Sequence, residues 1–308
     1  MLLSYFMDDI RYIERSSGEL STEKVYGHRA LSLMYGTSFT SRLFAFFFLP
    51  LLARVPLFSH LYGLMQKSAA SRKKIEPFIQ TYQVDVSEFA DPVSSFRSFN
   101  DFFIRKLKPE CRPIDPDPGV AVLPADGRYL VFPKVGRAEG FYIKGQKFDL
   151  GTFLKEEALG RRYEEGSMVI ARLCPTDYHR FHFPVDGLAS ASKLIMGSLY
   201  SVNPVALVKR LPILWENKRS ITEIESEHFG TVSMVEVGAT CVGTIHQTYS
   251  LESRVQKGDE KGYFSFGGSC IVLLFEKNRI EFEKDLIENS ARYFETKGLF
   301  GTPLGKKM

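Results

Sequence analysis

Three segments of the sequence place a reactive side chain beside residues that form turns. Leu123-Pro-Ala-Asp-Gly-Arg128 sets Asp126 before a glycine. The segment from Cys174 to Pro184 carries two histidines three residues apart, and Phe264–Cys270 carries a Gly-Gly-Ser sequence ahead of an apolar run. An acid, a base and a hydroxyl nucleophile make up the inventory of a catalytic triad, which is recognised by roles rather than by spacing. The candidate triad is Asp126, His182 and Ser269.

Each segment also has a simpler interpretation. An aspartate before glycine is a common turn former, and a glycine pair allows a tight turn into a buried strand. His179 and His182 could be packed or hydrogen-bonded in a core, could bind a metal, or could supply a general base. No HExxH helix accompanies them, so a metal pair is the least favoured of the three.

The elements that would position these residues are mostly strands. Short β-rich runs separated by Gly, Pro and Asp follow a proline-rich linker at residues 109–118. Neither βαβ alternation nor a GxGxxG motif occurs, which disfavours a dinucleotide-binding fold. The predicted strands are Val120–Leu123, Tyr129–Phe132, Met168–Leu173, Thr231–Val237, Thr240–Ile245 and Cys270–Phe275.

The N-terminal third is predicted to be helical. Residues 43–53 and 55–66 are two uncharged runs, each shorter than the about 20 apolar residues that span a bilayer. They fit either core helices or helices that lie in a membrane interface. Ser95–Leu107 has Phe at helical spacing and is expected to be a helix packed on the core.

The charge distribution favours the membrane interface. The formal net charge of the 308 residues is only +4, but residues 24–75 contain no Asp or Glu. Basic residues near an anionic lipid surface each contribute about 1 kcal/mol to binding. The basic residues of this stretch are Lys24, Arg29, Arg42, Arg54, Lys67, Arg72, Lys73 and Lys74.

Composition limits the classes of protein to which this chain could belong. A hydrophobic content of 44% with 25% charged residues is typical of a globular protein rather than a disordered one. The four cysteines lie far apart without a CxxC motif, so neither a zinc site nor a disulfide framework is expected. Asp8 and Asp9 are atypical of an export or transit signal. The expected fold class is α+β, with a helical, basic, membrane-associating region at residues 1–94 and a β-rich, sandwich- or barrel-like catalytic domain at residues 95–308.

An ordered set of motifs between Phe99 and Leu304 resembles the phosphatidylserine decarboxylase family. Any one of the motifs is weak, whereas the ordered set is highly specific. The motifs are Phe99–Arg105 with Arg112-Pro-Ile114, Pro124–Gly127, Asp177–Pro184, Tyr200–Pro204, Val237–Thr240 with Val242-Gly243, and Gly267–Ser269 before an apolar strand.

The resemblance implies a role for each candidate residue. Ser269 matches the serine at which these proenzymes cut themselves, so the cleaved bond is Gly268–Ser269. Asp126 and His182 match the acid and the histidine of the family, and His179 is a supporting residue. One departure is Cys270, where the family usually has Thr or Ser, and it bears on the efficiency of maturation.

The resemblance also implies the products and partners. Cleavage yields a large chain, residues 1–268, and a small chain, residues 269–308, whose Ser269 becomes a covalent pyruvoyl group. That group would form a Schiff base with phosphatidylserine and release phosphatidylethanolamine, without metal or pyridoxal phosphate. The expected partner is an anionic membrane rather than nucleic acid, with the protein peripheral on the cytoplasmic face of a cell membrane, a bacterial inner membrane being favoured. A homodimer is left open.

Two alternatives keep parts of this interpretation. One retains the pyruvoyl chemistry but acts on a soluble amino acid, against which the basic stretch at residues 24–75 argues. The other is a non-enzymatic, β-rich lipid-binding or carrier module in which the histidines and the Gly-Gly-Ser sequence are structural.

Overall fold

The computed structural model describes residues 10–138, 149–209, 212–239, 244–267 and 269–308. Helices dominate the described chain up to residue 103 and are short and scattered thereafter. They are α1 (His28–Tyr35), α2 (Phe39–Phe47), α3 (Leu49–Arg54), α4 (Pro56–Lys67), α5 (Ile75–Tyr82), α6 (Phe99–Phe103), α7 (Leu150–Leu154), α8 (Glu157–Tyr163), α9 (Pro204–Lys209), α10 (Ile213–Glu216) and α11 (Lys284–Ala291).

Strands occupy most of the remaining regular structure. They are β1 (Arg11–Glu14), β2 (Leu20–Thr22), β3 (Val120–Val122), β4 (Gly127–Phe132), β5 (Ser167–Leu173), β6 (Arg180–His182), β7 (Gly187–Ala189), β8 (Lys193–Ile195), β9 (Arg219–Ser226), β10 (Gly230–Gly238), β11 (Ile245–Gln247), β12 (Ser253–Val255), β13 (Glu260–Phe264), β14 (Ser269–Phe275), β15 (Ile280–Phe282), β16 (Glu295–Gly298) and β17 (Pro303–Lys307).

The described strands form one large sheet and two small ones. The large sheet has 11 strands in the order β12-β7-β9-β10-β14-β5-β4-β16-β1-β2, with β8 paired to β9. The small sheets have the orders β11-β13-β6 and β15-β17-β3. The expected mixture of helices with a large β-sheet is confirmed.

The central strands of the large sheet are buried on both faces. In β14, Cys270, Val272 and Leu274 face one apolar cluster, while Ile271 and Leu273 face the other. Side chains alternate across a strand, so a strand covered on both faces must be apolar at every position. This explains why β14 reads as a continuous apolar run rather than an alternating one.

An aromatic cluster joins the helices to the segment before β14. It contains Phe266, which directly precedes the glycine pair, and its ring lies 5.1 Å from that of Phe99 and 4.8 Å from that of Phe103. The Phe266 N–H also donates to the Asn100 side chain at 3.1 Å. Helix α6 therefore fixes the position from which the chain enters the candidate site.

The helix predicted at Ser95–Leu107 is shorter in the structure. A 3-10 turn at Val93–Ser95 precedes α6, and the Ser98 side chain caps α6 by accepting from the Asp101 N–H at 3.1 Å. In return, the Asp101 carboxylate accepts from the Arg97 N–H. The cap at Ser98 fixes the helix start at Phe99, four residues after the predicted start at Ser95.

The N-terminal region contributes strands as well as helices. Strand β1 pairs in parallel with β16, and β2 pairs with β1, so residues 11–22 extend the large sheet. The domain boundary at residue 94 stays a prediction. No helix in the described ranges is both long enough and apolar enough to cross a membrane.

Candidate active site

Ser269 is the first residue of β14 and lies in the middle of the large sheet. It is paired with Gly238 of β10 on one side and with Leu173 of β5 on the other. Its side chain is fully buried, and Oγ has no hydrogen-bond partner among the described residues. Leaving a buried hydroxyl unsatisfied costs about 1–3 kcal/mol. An unsatisfied hydroxyl in the centre of a sheet requires an explanation, and a catalytic role is one.

Gly267, two residues before Ser269, adopts a backbone that suits glycine. Gly267 has φ 137°, a conformation that side-chain-bearing residues rarely adopt. Gly268, the other half of the predicted cleavage site, lies outside the described residues. The glycine at position 267 is thus explained by backbone geometry at the point where the chain turns into β14.

Asp126 lies between β3 and β4 and is bound by an arginine. Its carboxylate accepts from Arg112 Nε at 3.0 Å and from Arg112 Nη2 at 2.7 Å. It also accepts from the Phe300 N–H at 2.8 Å. The same guanidinium binds Glu88 through two hydrogen bonds of 2.9 Å. Arg112 therefore fixes the orientation of Asp126.

His182 ends β6 and is buried beside Asp126. Its backbone N–H donates to the Pro124 carbonyl oxygen at 2.8 Å. Its ring stacks on that of Phe300, with the centroids 3.6 Å apart and the planes 12° apart. Burial lowers the pKa of His182 to about 3, so its imidazole is neutral at physiological pH. A neutral imidazole is the form that can accept a proton.

Phe300 connects the acid and the base of the predicted triad. Its N–H binds Asp126 while its ring covers His182, so the structure brings these two residues to the same place. Neither His182 Nδ1 nor Ser269 Oγ has a hydrogen-bond partner in the described part of the chain. The three residues are therefore not linked through these two atoms, and their roles stay a prediction.

His179 is the histidine that faces the glycine pair. It is fully buried, its Nδ1 lies 2.9 Å from the Asp177 carbonyl oxygen, and its ring packs 3.9 Å from that of Phe103. Nε2 has no hydrogen-bond partner among the residues described, although the backbone of Gly267 lies close enough to favour the protonated ring. Burial nevertheless lowers the pKa of His179 to about 3.

Cys270, the departure from the family pattern, faces away from Ser269. Neighbouring residues of a strand point to opposite faces, and Cys270 belongs to the apolar cluster on the face opposite Ile271. Burial raises the pKa of its thiol to about 12. A protonated thiol on the opposite face does not compete with Ser269 as a nucleophile.

A row of buried ion pairs, called here the ion-pair wall, lies beside the site, and the sequence does not predict it. Glu23, directly after β2, binds Arg128 at 3.0 Å and Arg172 at 2.7 Å. Asp177 completes the wall on the Arg128 side at 2.6 Å, and Glu295 on the Arg172 side at 2.5 Å. The only signal in the sequence is that Arg128 and Asp177 fall inside two of the three segments with reactive side chains, Leu123–Arg128 and Cys174–Pro184, because the other partners lie more than 100 residues apart.

An apolar cavity of about 550 Å³ lies on the Arg172 side of this wall. It opens between α1 and the large sheet and extends to Gly267. Apolar clefts of this size commonly bind small molecules or parts of lipids. The lining side chains include Leu31, Met34, Tyr62, Val202 and Phe266.

The site therefore contains a buried serine whose hydroxyl has no partner among the described residues, and two buried, neutral histidines. The described residues contain no group of three or more His, Cys, Asp or Glu side chains that could hold a metal ion. The chain belongs to the phosphatidylserine decarboxylase family, whose model matches residues 99–298.

Relatives in this family match nearly the whole chain. The phosphatidylserine decarboxylase proenzyme of Chlamydia muridarum is 46% identical over 96% of this chain and 97% of its own length. The proenzymes of Fusobacterium nucleatum and Chlamydia trachomatis serovar D are 42% and 44% identical, over 97% of this chain and 98% of theirs. The similarity therefore includes the N-terminal helices as well as the sheet.

Proposed function

We propose that this chain is a proenzyme that decarboxylates phosphatidylserine to phosphatidylethanolamine with a pyruvoyl group made from its own Ser269. The observation that carries the proposal is the near full-length similarity to proteins named phosphatidylserine decarboxylase proenzyme. The buried, unpartnered hydroxyl of Ser269 after Gly267 supports the proposed position of self-cleavage.

Self-cleavage begins with transfer of the Ser269 proton to neutral His182, oriented with the help of Asp126. Ser269 Oγ then attacks the Gly268 carbonyl, and the Gly268–Ser269 amide becomes an ester. β-Elimination of that ester releases the carboxyl end of the large chain and leaves dehydroalanine, which hydrolyses to the pyruvoyl group and ammonia. A buried histidine with a low pKa is a weak base, but one slow turnover per molecule is sufficient.

The environment of Ser269 fits a pyruvoyl group, in which the α-carbon of Ser269 becomes a ketone, its oxygen takes the place of the lost nitrogen, and the side chain becomes a methyl group. Ser269 is fully buried, and its Oγ is bound to no other described residue. Most of the side chains that line the neighbouring apolar cavity are uncharged. The pyruvoyl group supplies an electron-accepting carbonyl for the loss of carbon dioxide. The ring proton of neutral His179 lies on Nδ1, which donates to the Asp177 carbonyl oxygen, so Nε2 beside Gly267 supports the reaction as a proton acceptor that no described residue occupies.

The N-terminal helices are proposed to hold the protein on an anionic membrane. Phe39, Phe46 and Phe47 of α2 are 80%, 76% and 61% exposed, and Met65 of α4 is 61% exposed. Exposed apolar side chains on helices that lack Asp and Glu are typical of interfacial binding. With bacterial relatives, peripheral binding at the cytoplasmic face of a bacterial membrane fits best.

The proposed function is tested by incubating the purified chain with phosphatidylserine vesicles and measuring phosphatidylethanolamine by mass spectrometry. Wild type should form the product, and Ser269→Ala should not. Product from free serine without vesicles would instead support a soluble amino-acid decarboxylase. Vesicle binding by an intact chain that forms no product would support a non-enzymatic lipid-binding module.

A further inference from the structure

A second cavity, of about 420 Å³, lies on the Arg128 side of the ion-pair wall. Its lining is mainly polar, in contrast to the apolar cavity that reaches Gly267. Asp126 and Tyr178 line it, so it lies directly beside the acid of the candidate site. The proposed chemistry assigns no role to this space.

The carboxylates inside this polar cavity already have cationic partners. Asp85, at the exposed mouth, is the exception and accepts from the Ser87 N–H and hydroxyl. The lining carries five carboxylates and five Lys or Arg side chains, so its formal charge is zero before a ligand enters. The ion-paired carboxylates are Asp126 and Glu88, both bound by Arg112, and Asp177 and Glu23, both bound by Arg128.

Arg105 is the buried cation of the cavity that has no carboxylate partner among the described residues. It is only 5% exposed, and its guanidinium carbon lies 4.9 Å from the ring centroids of both Phe89 and Phe102. Its hydrogen bonds are long: 3.3 Å to the Phe102 carbonyl and 3.5 Å to the Thr176 carbonyl. Nε has no partner among the described residues.

Asp126, Asp177 and Glu88 attract the Arg105 guanidinium without contacting it, and a buried guanidinium that no carboxylate contacts remains costly unless a ligand satisfies it. The planar fork of arginine matches the geometry of phosphate and carboxylate oxygens, and such pairs are often bidentate. Burial lowers the pKa of Arg105 to about 10, so the side chain remains charged at neutral pH. The rings of Phe89 and Phe102 hold the fork in one plane.

We propose that the Arg105 cavity binds a phosphate oxyanion beside Asp126. Lys24, whose Nζ donates to the Thr81 carbonyl at 2.7 Å, lines the same cavity and adds a second positive charge that no described carboxylate pairs. A cavity of 420 Å³ holds a phosphate group with its waters but not a lipid with its acyl chains. The phosphate comes either from solution or from a lipid headgroup whose chains remain outside.

The first test is calorimetric titration of the full-length, purified protein with inorganic phosphate at constant ionic strength set by chloride. Wild type should bind phosphate saturably, and Arg105→Met should weaken binding at least tenfold. Arg15→Met is the matched control, because Arg15 pairs with Asp285 outside the cavity, and it should bind as wild type does. Equal affinity in wild type and Arg105→Met, or no saturable binding by wild type, would overturn the proposal.

A conservative variant keeps the test decisive if Arg105→Met does not fold. Arg105→Lys keeps the charge but loses the bidentate fork, so phosphate affinity should fall at least fivefold. Unchanged affinity in Arg105→Lys would also overturn the proposal. Because binding is measured without substrate turnover, this outcome is independent of whether the protein is a decarboxylase.

A competition experiment identifies the source of the phosphate. The titration is repeated with vesicles of phosphatidylglycerol and, for comparison, of phosphatidylcholine. Weaker apparent phosphate binding with phosphatidylglycerol alone assigns the cavity to an anionic lipid headgroup. Unchanged binding with both lipids assigns it to free phosphate.

Discussion

Asp126 takes its orientation from Arg112, which also binds Glu88, and not from a histidine. The mostly buried Arg112 guanidinium lies between the Asp126 and Glu88 carboxylates, so the orientation of Asp126 depends on this one side chain. Removing one partner of a buried ion pair is strongly destabilising, because the remaining charge is left uncompensated. The residue that determines whether Asp126 is correctly placed is therefore outside the predicted triad.

Arg112→Gln should slow self-cleavage at least tenfold and lower the free energy of unfolding by about 3 kcal/mol. A time course on denaturing gels measures the first effect, and urea unfolding measures the second. Arg15→Gln is a suitable control, because its partner Asp285 is 42% exposed and such pairs contribute about 1 kcal/mol or less. Wild-type cutting and stability in Arg112→Gln would contradict this role.

The buried histidines His179 and His182 make the stability of the fold depend on pH. Each has a pKa of about 3 in the fold, against 6.5 for a histidine exposed to solvent. Between these values the unfolded chain binds a proton that the folded chain does not, so stability falls as the pH falls. Each histidine contributes a slope of about 1.4 kcal/mol per pH unit within that window.

His182→Gln should therefore flatten the acid dependence of stability between pH 6 and about pH 4 without changing the dependence above pH 7.5. The measurement is urea unfolding across this pH range in an uncut Ser269→Ala background, which keeps a single covalent species. Parallel stability curves for Ser269→Ala with and without His182→Gln would show that His182 is not buried in its neutral form.

At the scale of elements, three strands and one helix fix the site. Strand β14 presents Ser269 between β10 and β5, and α6 anchors Phe266 just before it. Helices α2 to α4 contribute few buried residues and leave much of their apolar surface exposed. The core of this chain does not account for this apolar sequence, and the proposed binding to a lipid surface would.

Replacing Phe46 and Phe47 together with Ser should reduce binding to anionic vesicles at least tenfold without lowering the melting temperature, because both rings are exposed. Co-sedimentation with vesicles measures the binding, which should also weaken with salt. The matched control replaces Leu194 and Met196, which are 52% and 70% exposed on and just after β8. Equal loss of binding in both double variants would contradict a specific role for α2.

At the scale of the whole molecule, local patterns were predictable and distant pairings were not. The apolar run at Cys270–Phe275 and the uncharged runs at residues 43–53 and 55–66 each lie in the predicted kind of element. Most of Thr240–Ile245 lies outside the described residues, although β11 begins at Ile245. Periodicity predicts such elements because it depends on neighbours in sequence.

Contacts between distant segments carry no such local signal. Glu23 meets Arg172 across 149 residues, and β1 joins β16 from the opposite end of the chain. Neither pairing follows from periodicity or composition. Residue types and turn-forming neighbours single out Asp126, His182 and Ser269, and the family resemblance adds their roles, whereas only the structure reveals what Arg112 and Arg105 contact.

The central claim is that the chain cuts itself before Ser269. The most direct measurement is the intact mass of the purified wild-type protein under denaturing conditions, beside Ser269→Ala. Wild type should separate into a large chain of residues 1–268 and a small chain of residues 269–308 with a pyruvoyl amino end, and Ser269→Ala should remain one chain of 35.0 kDa. A single uncut 35.0 kDa species in an active wild-type preparation would contradict the account.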